Sequence, residues 1–328
     1  MKYHFDNILG HNHIIKSLQS SIQHERVCHA YLFCGADGIG KNLIANTFAK
    51  TLLCNANSIT PCNDCISCKT FESNNNPDVI YIAAEKKSIG VDEIRDKVVK
   101  QMETKPYHYK YKIFIIDDSH LITASAQNAL LKTIEEPANY GIFLMLAESE
   151  HVFLPTVLSR TIKFKLKPVA TNIVNEYLLK NLDINEQDAL YYSIFSNGNI
   201  GYAQKLSLDS NFMDMRCEVS DLLISIKNFG FSDISHKAKY LEKFKDSSIE
   251  LLELFELWFR DLLIYRAIGD ENLVMQKDLL DNIVTSSESY SVSAIVKNFE
   301  FIENAKQELK RYASFQLVME VLMLNLKH

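Results

Sequence analysis

Residues 35–42 read Gly-Ala-Asp-Gly-Ile-Gly-Lys-Asn. This is a glycine, four residues, a second glycine and a lysine, with Gly38 as an extra glycine inside. Glycines let a backbone wrap closely around a phosphate, and the helix that follows turns its free N–H groups toward the anion. Gly35, Gly38 and Gly40 are therefore candidate loop residues, and Lys41 is placed to reach the terminal phosphates. The next position in such a loop normally carries a Ser or Thr hydroxyl that holds magnesium; here it is Asn42. An amide oxygen can touch a metal, but the longer side chain changes the distance. The competing reading is a loop kept only for its turn geometry.

A second chemical feature follows an apolar run. Ile113-Phe114-Ile115-Ile116 leads into Asp117-Asp118-Ser119-His120. An acid at the end of an apolar strand, here Asp117, suits the positioning of magnesium. ATPases of this type usually place Glu next, to orient the attacking water. Asp118 is one methylene shorter, and catalysis is sensitive to misplacement of about 1 Å. Alternatively, Asp118 or Ser119 caps the turn that follows.

A third feature is Cys54, Cys62, Cys65 and Cys68, spaced C-x7-C-x2-C-x2-C. Four thiolates meet the tetrahedral preference of a structural zinc ion and leave no open position for catalysis. Pro61 and Asn63-Asp64 supply turn chemistry between the ligands. Free or redox-active thiols are the alternative. Cys28, Cys34 and Cys217 are expected to be core residues or isolated thiols.

These groups need elements to position them. Residues 30–35, 78–84, 112–117 and 142–147 are short apolar runs, and 161–166 can add a last strand. Helical stretches lie between them at 41–53, 91–102 and 124–134. Buried apolar strands alternating with helices predict a parallel sheet covered on both faces. After Pro168 the strand-like runs vanish. Residues 171–207 read as short helices with a glycine turn at 197–201, and 209–328 as longer amphipathic helices. Leu252, Phe255, Trp258, Phe259 and Leu262 share one face of such a helix, so Trp258 is read as core. The expected division is a core over 1–167 carrying the cysteine insertion (54–68), a small helical region over 168–207 and a helical domain over 208–328.

The totals exclude some functions. The 328 residues are 47% hydrophobic and 23% charged, the balance of a soluble globular chain of two or three domains. A net charge of -6 argues against a self-sufficient nucleic-acid binder, because phosphate contacts need Lys and Arg. A zinc-dependent DNA-binding module is disfavoured on the same ground, with only Lys69 as a positive charge near the cysteines. No run is long and apolar enough for a membrane span, no secretory signal is visible, and the clustered cysteines suggest metal rather than disulfides, so a cytoplasmic location is expected. The basic, aromatic stretch 105–112 (Lys-Pro-Tyr-His-Tyr-Lys-Tyr-Lys) is read as a solvated loop with packing tyrosines rather than a stacking platform. Lys86-Lys87 is read as a solvated turn.

Asn-Ala-Leu-Leu-Lys-Thr-Ile-Glu-Glu-Pro at 128–137, His-Ala-Tyr-Leu-Phe-Cys-Gly at 29–35 and Leu158-Ser159-Arg160 together resemble the AAA+ subunits of the bacterial clamp loader. That machine places the sliding clamp on DNA. The resemblance covers 5–166 well and the helical remainder loosely. It implies an α/β fold: an AAA+ P-loop parallel-sheet core, a small helical lid, and an all-α C-terminal domain that acts as an oligomerisation collar. It also implies a four-cysteine module after the phosphate-loop helix, with one residue fewer here in the first gap.

Two kinds of clamp-loader subunit share these motifs, the gamma/tau ATPase and the delta-prime subunit, which holds a ring position without hydrolysing ATP. The departures favour the non-hydrolysing kind. Asn42 and Asp118 replace the expected hydroxyl and Glu. Ala147-Glu148 stand where the ATPase subunits carry a Thr that senses the γ-phosphate. Gly201 stands where their lid carries an Arg, and no Arg occurs anywhere in 161–215. The family pattern Ser-Arg-Cys appears as Ser159-Arg160-Thr161, so the resemblance implies that Arg160 is an arginine finger for a neighbour's ATP. A surface Arg paired with a carboxylate is the plainer alternative. The resemblance implies gamma/tau and delta subunits as partners, with the sliding clamp and primer-template DNA met through the complex. Its own site is expected to bind ATP and magnesium weakly or not at all, with zinc as the structural ion. An active gamma/tau-like ATPase is the rival.

Overall fold

The computed structural model describes residues 3–84 and 88–327, so Lys86-Lys87 lies outside the described residues. The chain divides into two compact units, Met1–Asn181 with Ser196–Tyr202, and Leu182–Phe195 with Ala203–His328.

The first unit is built on a parallel sheet. Its strands are β1 (Ala30–Cys34), β2 (Val79–Ile82), β3 (Lys112–Ile116), β4 (Gly141–Ala147) and β5 (Ile162–Lys165), in spatial order β2-β3-β4-β1-β5. Every neighbouring pair is parallel. The three inner strands, β3, β4 and β1, are buried along their whole length, as strands covered on both faces must be. Their side chains alternate between two cores. Tyr31, Phe33, Ile113, Ile115, Leu144 and Leu146 point into one. Leu32, Phe114, Ile116, Phe143 and Met145 point into the other.

Helices α1 (Asn12–Gln23) and α2 (Lys41–Leu53) cover the first face through Ile14, Leu18, Ile44 and Phe48. After α2 comes the short α3 (Ile66–Glu72). The other face is covered by a helical stretch, α4 (Val91–Ile94) running through Arg95–Val99 into α5 (Lys100–Met102), and by α6 (Ala124–Glu135) and α7 (Pro155–Leu158). Thr123 caps α6, its hydroxyl accepting from the Ala126 N–H. Helix α8 (Thr171–Asn181) follows β5.

The loop at 105–112 is held from below. The buried Asp78 carboxylate accepts the backbone N–H groups of Tyr107 (2.7 Å), His108 (3.1 Å) and Tyr109 (3.3 Å). Tyr109 and Tyr111 pack against the first core while Tyr107 is exposed, which is the packing-loop arrangement expected of this stretch.

The second unit is helical: α9 (Glu186–Phe195), the body of α10 (Ile200–Leu208), α11 (Phe212–Ser225), α12 (Phe231–Tyr240), α13 (Ser248–Ile268), α14 (Leu280–Glu288), α15 (Val292–Lys310) and α16 (Phe315–Leu326). Its central helix α13 buries Leu251, Leu252, Phe255, Trp258, Phe259 and Leu262 and packs against α11, α14 and α15. Trp258 is core, as its spacing predicts. Two polar ties brace this unit. Asp261, fully buried, accepts from the N–H groups of Met275 (3.0 Å) and Gln276 (2.9 Å), and Arg216 grips Asp278 with Nη2 at 2.7 and 2.8 Å. Among the described residues no helix is long and apolar enough to cross a membrane.

Candidate nucleotide site and metal centre

The loop 35–42 joins the C-terminal end of β1 to the N-terminus of α2, the crevice in which parallel sheets present their ligand sites. Gly38 (φ +77°) and Gly40 (φ +107°) adopt backbone that side chains disfavour, so these glycines are required by the turn. Lys41 is buried at the helix start. Its Nζ donates to the carbonyls of Gly35 (2.9 Å) and Ala36 (3.0 Å), within the loop itself.

Strand β4 lies between β1 and β3, so the end of β4 sits between the loop and the acids. Asp117 follows β3 and Asp118 follows it with φ +44°, a left-handed conformation uncommon outside glycine. The Asp118 side chain makes no cap hydrogen bond to the turn it precedes. Ser119 does not cap it either: its buried hydroxyl donates to Leu146 O on β4 at 2.7 Å. The side chain at 118 is exposed at the mouth of the crevice.

The position expected to hold magnesium is engaged by the chain's own groups. Asn42 Nδ2 donates to Asp117 Oδ2 at 3.3 Å, and Asn42 Oδ1 accepts from Asn46 Nδ2 at 2.9 Å. Asn46 in turn accepts from the Tyr81 hydroxyl on β2 at 2.6 Å. Burial pushes the Tyr81 phenol up from its ordinary value, which keeps it a proton donor. A continuous chain Tyr81–Asn46–Asn42–Asp117 thus spans the loop helix and two strands. Asn46 and Tyr81 were not foreseen as site residues. Asn46 is one helical turn beyond Asn42, a spacing that offers a local signal; Tyr81 offers none.

The position expected to carry the lid arginine is closed as well. Gly201 N–H donates to Gly38 O at 3.1 Å. Asn199 Nδ2 donates to Asp37 O at 2.6 Å while Asn199 Oδ1 accepts from Tyr202 N. The turn at 199–202 therefore lies directly on the phosphate loop. Ala147 is buried at the end of β4 and Glu148 is exposed. Neither carries the hydroxyl of a γ-phosphate sensor.

Arg160 lies two residues beyond α7 and is half-exposed. Its Nη1 donates to Thr156 O (2.9 Å) and Ser159 Oγ (3.1 Å), and its Nη2 pairs with Glu135 Oε1 at 3.1 Å.

The four cysteines come together. Their Sγ atoms all lie within 4.8 Å of one another, with Cys54–Cys65 and Cys62–Cys68 at 4.0 Å. Sulfurs around a tetrahedral zinc at about 2.3 Å sit about 3.8 Å apart, so the set fits a metal ion. Cys54 ends α2 and Cys65 caps α3, so both helices fix the cluster. Backbone N–H groups aim at the sulfurs: Cys62 N at Cys54 Sγ (3.3 Å), Cys65 N at Cys62 Sγ and Cys68 N at Cys65 Sγ (both 3.4 Å). The N–H groups of Cys65 and Asp64 draw the exposed Cys62 thiol down to about 6, while burial pushes Cys54 and Cys68 up. Lys50 of α2, almost fully buried, reaches this module. Its Nζ donates to Asn63 Oδ1 and Glu72 Oε1, each at 2.6 Å.

The family of the DNA polymerase III delta subunit matches residues 10–170. The tau subunit of DNA polymerase III from Bacillus subtilis (strain 168) is 30% identical over 330 residues, covering 93% of this chain and 58% of that protein. The delta' subunit of the same organism is 28% identical over 317 residues, covering 96% of this chain and 95% of that one. The chain thus spans little more than half the length of the tau relative. A DNA polymerase III gamma subunit-related protein from Thermotoga maritima is similar in structure, with a TM-score of 0.44 at 18% identity over 95% of this chain and 98% of that one.

Proposed function

Because the chain belongs with the clamp-loader subunits of DNA polymerase III, we propose that it is the subunit of delta-prime type, which holds a place in the ring without hydrolysing ATP. The observation that carries this reading is the Asn42 amide, held between Asp117 and Asn46. A Thr hydroxyl and an Asp carboxylate can share a magnesium ion. Here an amide N–H meets the carboxylate directly, so the two groups satisfy each other and the acid has less reason to take a cation. Asp118, short by one methylene, and Ala147-Glu148, without a sensor hydroxyl, support the same reading.

What the subunit contributes is Arg160. A half-exposed guanidinium on a short, anchored turn suits reaching across to a neighbouring subunit's γ-phosphate. Charge that develops on the transferring phosphoryl group would be stabilised there without reorganisation. In this reading gamma/tau and delta subunits are the partners, and the sliding clamp and primer-template DNA are met by the assembly. The four cysteines hold zinc in a structural role, since the set leaves no open coordination position.

The rival is an ATP-hydrolysing subunit of gamma/tau type. Overall identity does not separate the two, at 30% to tau and 28% to delta'; the residues at 42, 118 and 201 are what supports the delta-prime reading. The test is steady-state ATP turnover by the purified chain, alone and in a complex with gamma/tau and delta subunits. The expected result is silence alone and a rise of turnover in the complex that depends on Arg160. Turnover by the isolated chain that Lys41→Ala abolishes would make it an ATPase in its own right.

A further inference from the structure

We infer that Glu135 is a positioning residue for Arg160, holding the guanidinium in the pose from which it reaches a neighbouring subunit's nucleotide. Its role rests on the finger reading of Arg160 given above.

Glu135 is the last residue of α6, and Glu136 follows it. The carbonyl end of a helix carries partial negative charge, so an acid there is misplaced for stability. Two acids in a row at that end call for another reason. Glu135 has one on its doorstep: its Oε1 is 3.1 Å from Arg160 Nη2. The side chains are 43% and 38% exposed, so the pair is screened by water and stabilises the fold little. What it does supply is direction.

A free arginine side chain samples many rotamers, whereas this one has three anchors. Thr156 O and Ser159 Oγ take Nη1, and Glu135 takes Nη2. The first two belong to the same short turn as Arg160 and fix one end of the fork. Glu135 comes from a different element and fixes its orientation. Nε and the remainder of Nη2 are left for an incoming anion. Helix α6 begins just after the Asp117-Asp118 turn, capped by Thr123, and runs about 18 Å to Glu135. The rod that starts at the chain's own nucleotide crevice thus ends on the side chain that serves the neighbour's.

The test uses the complete complex with ATP-hydrolysing clamp-loader subunits and compares Glu135→Ala, Glu135→Gln, Arg160→Ala and the double variant Glu135→Ala/Arg160→Ala. Releasing an arginine from its anchor costs up to its rotamer entropy, so Glu135→Ala is expected to lower kcat by roughly 3- to 30-fold. KM for ATP should change by less than about twofold. Glu135→Gln keeps an acceptor and should fall between Ala and wild type. The double variant should be no worse than Arg160→Ala alone, because an aim without a finger has nothing to aim. Melting temperature and metal content of each chain establish that it folds. Arg160→Ala impaired with Glu135→Ala unchanged or faster would overturn the positioning role and leave the finger standing. Losses that multiply in the double variant would show that Glu135 acts elsewhere. Arg160→Ala indistinguishable from wild type would remove the finger, and the positioning role with it.

Discussion

The backbones of Gly38 and Gly201 are in direct contact: Gly201 N–H donates to Gly38 O at 3.1 Å, and a Cβ built on Gly201 would stand 2.6 Å from that oxygen and 2.7 Å from Gly38 Cα. If Gly201 stands where the resemblance expects a lid arginine, that arginine is not merely missing. Its place is taken by a backbone contact that no side chain can share. Asn199, bonded to Asp37 O, braces the same contact from the side.

Restoring the arginine should accordingly fail to restore the site. Gly201→Arg is expected to break the hydrogen bond to Gly38 and release the 199–202 turn, seen as faster amide exchange at 198–202, with no gain in ATP affinity by calorimetry. Removing one such contact and its brace costs about 1–2 kcal/mol locally. Tight magnesium-dependent ATP binding by this variant would mean that the lid contact is not what closes the loop.

Asn42→Thr tests the other closure. Asn46 Nδ2 keeps a partner in the variant, because it also donates to the Asn42 backbone carbonyl at 2.9 Å, so the fold should be spared. Asp117 loses its amide donor and gains a neighbouring hydroxyl. Magnesium-dependent ATP affinity is expected to rise about tenfold, the equivalent of about 1.4 kcal/mol. Turnover by the isolated chain should stay at background, since Asp118 is unchanged. Hydrolysis by Asn42→Thr alone would show that Asp118 can orient water.

The parts of this site that follow local rules could be read from the residues in order. The glycine loop, the acids after β3, the strand-helix alternation and the cysteine spacing each carry their own geometry, and each lies where the pattern puts it. The helix 12–23 escaped notice because His11 before it (φ +53°) makes no side-chain cap bond and no strand signal precedes it. The long-range ties around the candidate site carry no such local signal. Tyr81 meets Asn46, Asn199 meets Asp37 and Glu135 meets Arg160 across 35, 162 and 25 positions of chain, and nothing in the nearby residues announces such pairs. The sequence could say which groups the nucleotide site lacks, but not what stands in their place.

Lys50 is expected to be a structural hub. It is 1% exposed, and its ammonium donates to Tyr3 O, Asn63 Oδ1 and Glu72 Oε1. Lys50→Met takes the ammonium from all three acceptors, leaving Glu72 with the Tyr3 N–H, and should lower unfolding stability by about 2–4 kcal/mol, measured by denaturant titration. Acid should find the same tie. Burial alone would raise the Glu72 carboxyl, but its hydrogen bonds to Lys50 and Tyr3 N–H hold it below the ordinary value of 4.5. A depressed carboxyl stabilises the fold above its unfolded pKa, and that contribution is lost as pH falls through the lower folded value. The wild type should therefore lose stability below about pH 4.5 more steeply than Lys50→Met. Parallel acid curves would mean that the pair contributes nothing.

The cysteine cluster makes the clearest pH forecast. Without metal, burial keeps Cys54 and Cys68 protonated above the ordinary thiol value of 9.0, whereas backbone N–H groups hold Cys62 near 6. A metal ion binds thiolates, so loading it must expel the protons from Cys54 and Cys68 at neutral pH. Affinity should thus rise with pH, by at least two protons per ion between about pH 7 and pH 9, and the ion should be lost on acidification as protons reclaim the sulfurs. Competition with a chromogenic chelator across that range measures the slope. One equivalent of zinc is expected in the purified chain, and Cys65→Ser with Cys68→Ser should abolish it and lower the melting temperature. The drop should follow the ion rather than the sulfurs, so stripping zinc from the wild type at constant pH should lower its melting temperature nearly as far. A double variant that keeps its metal would sink the site, and a stripped wild type that melts unchanged would deny the ion its structural role.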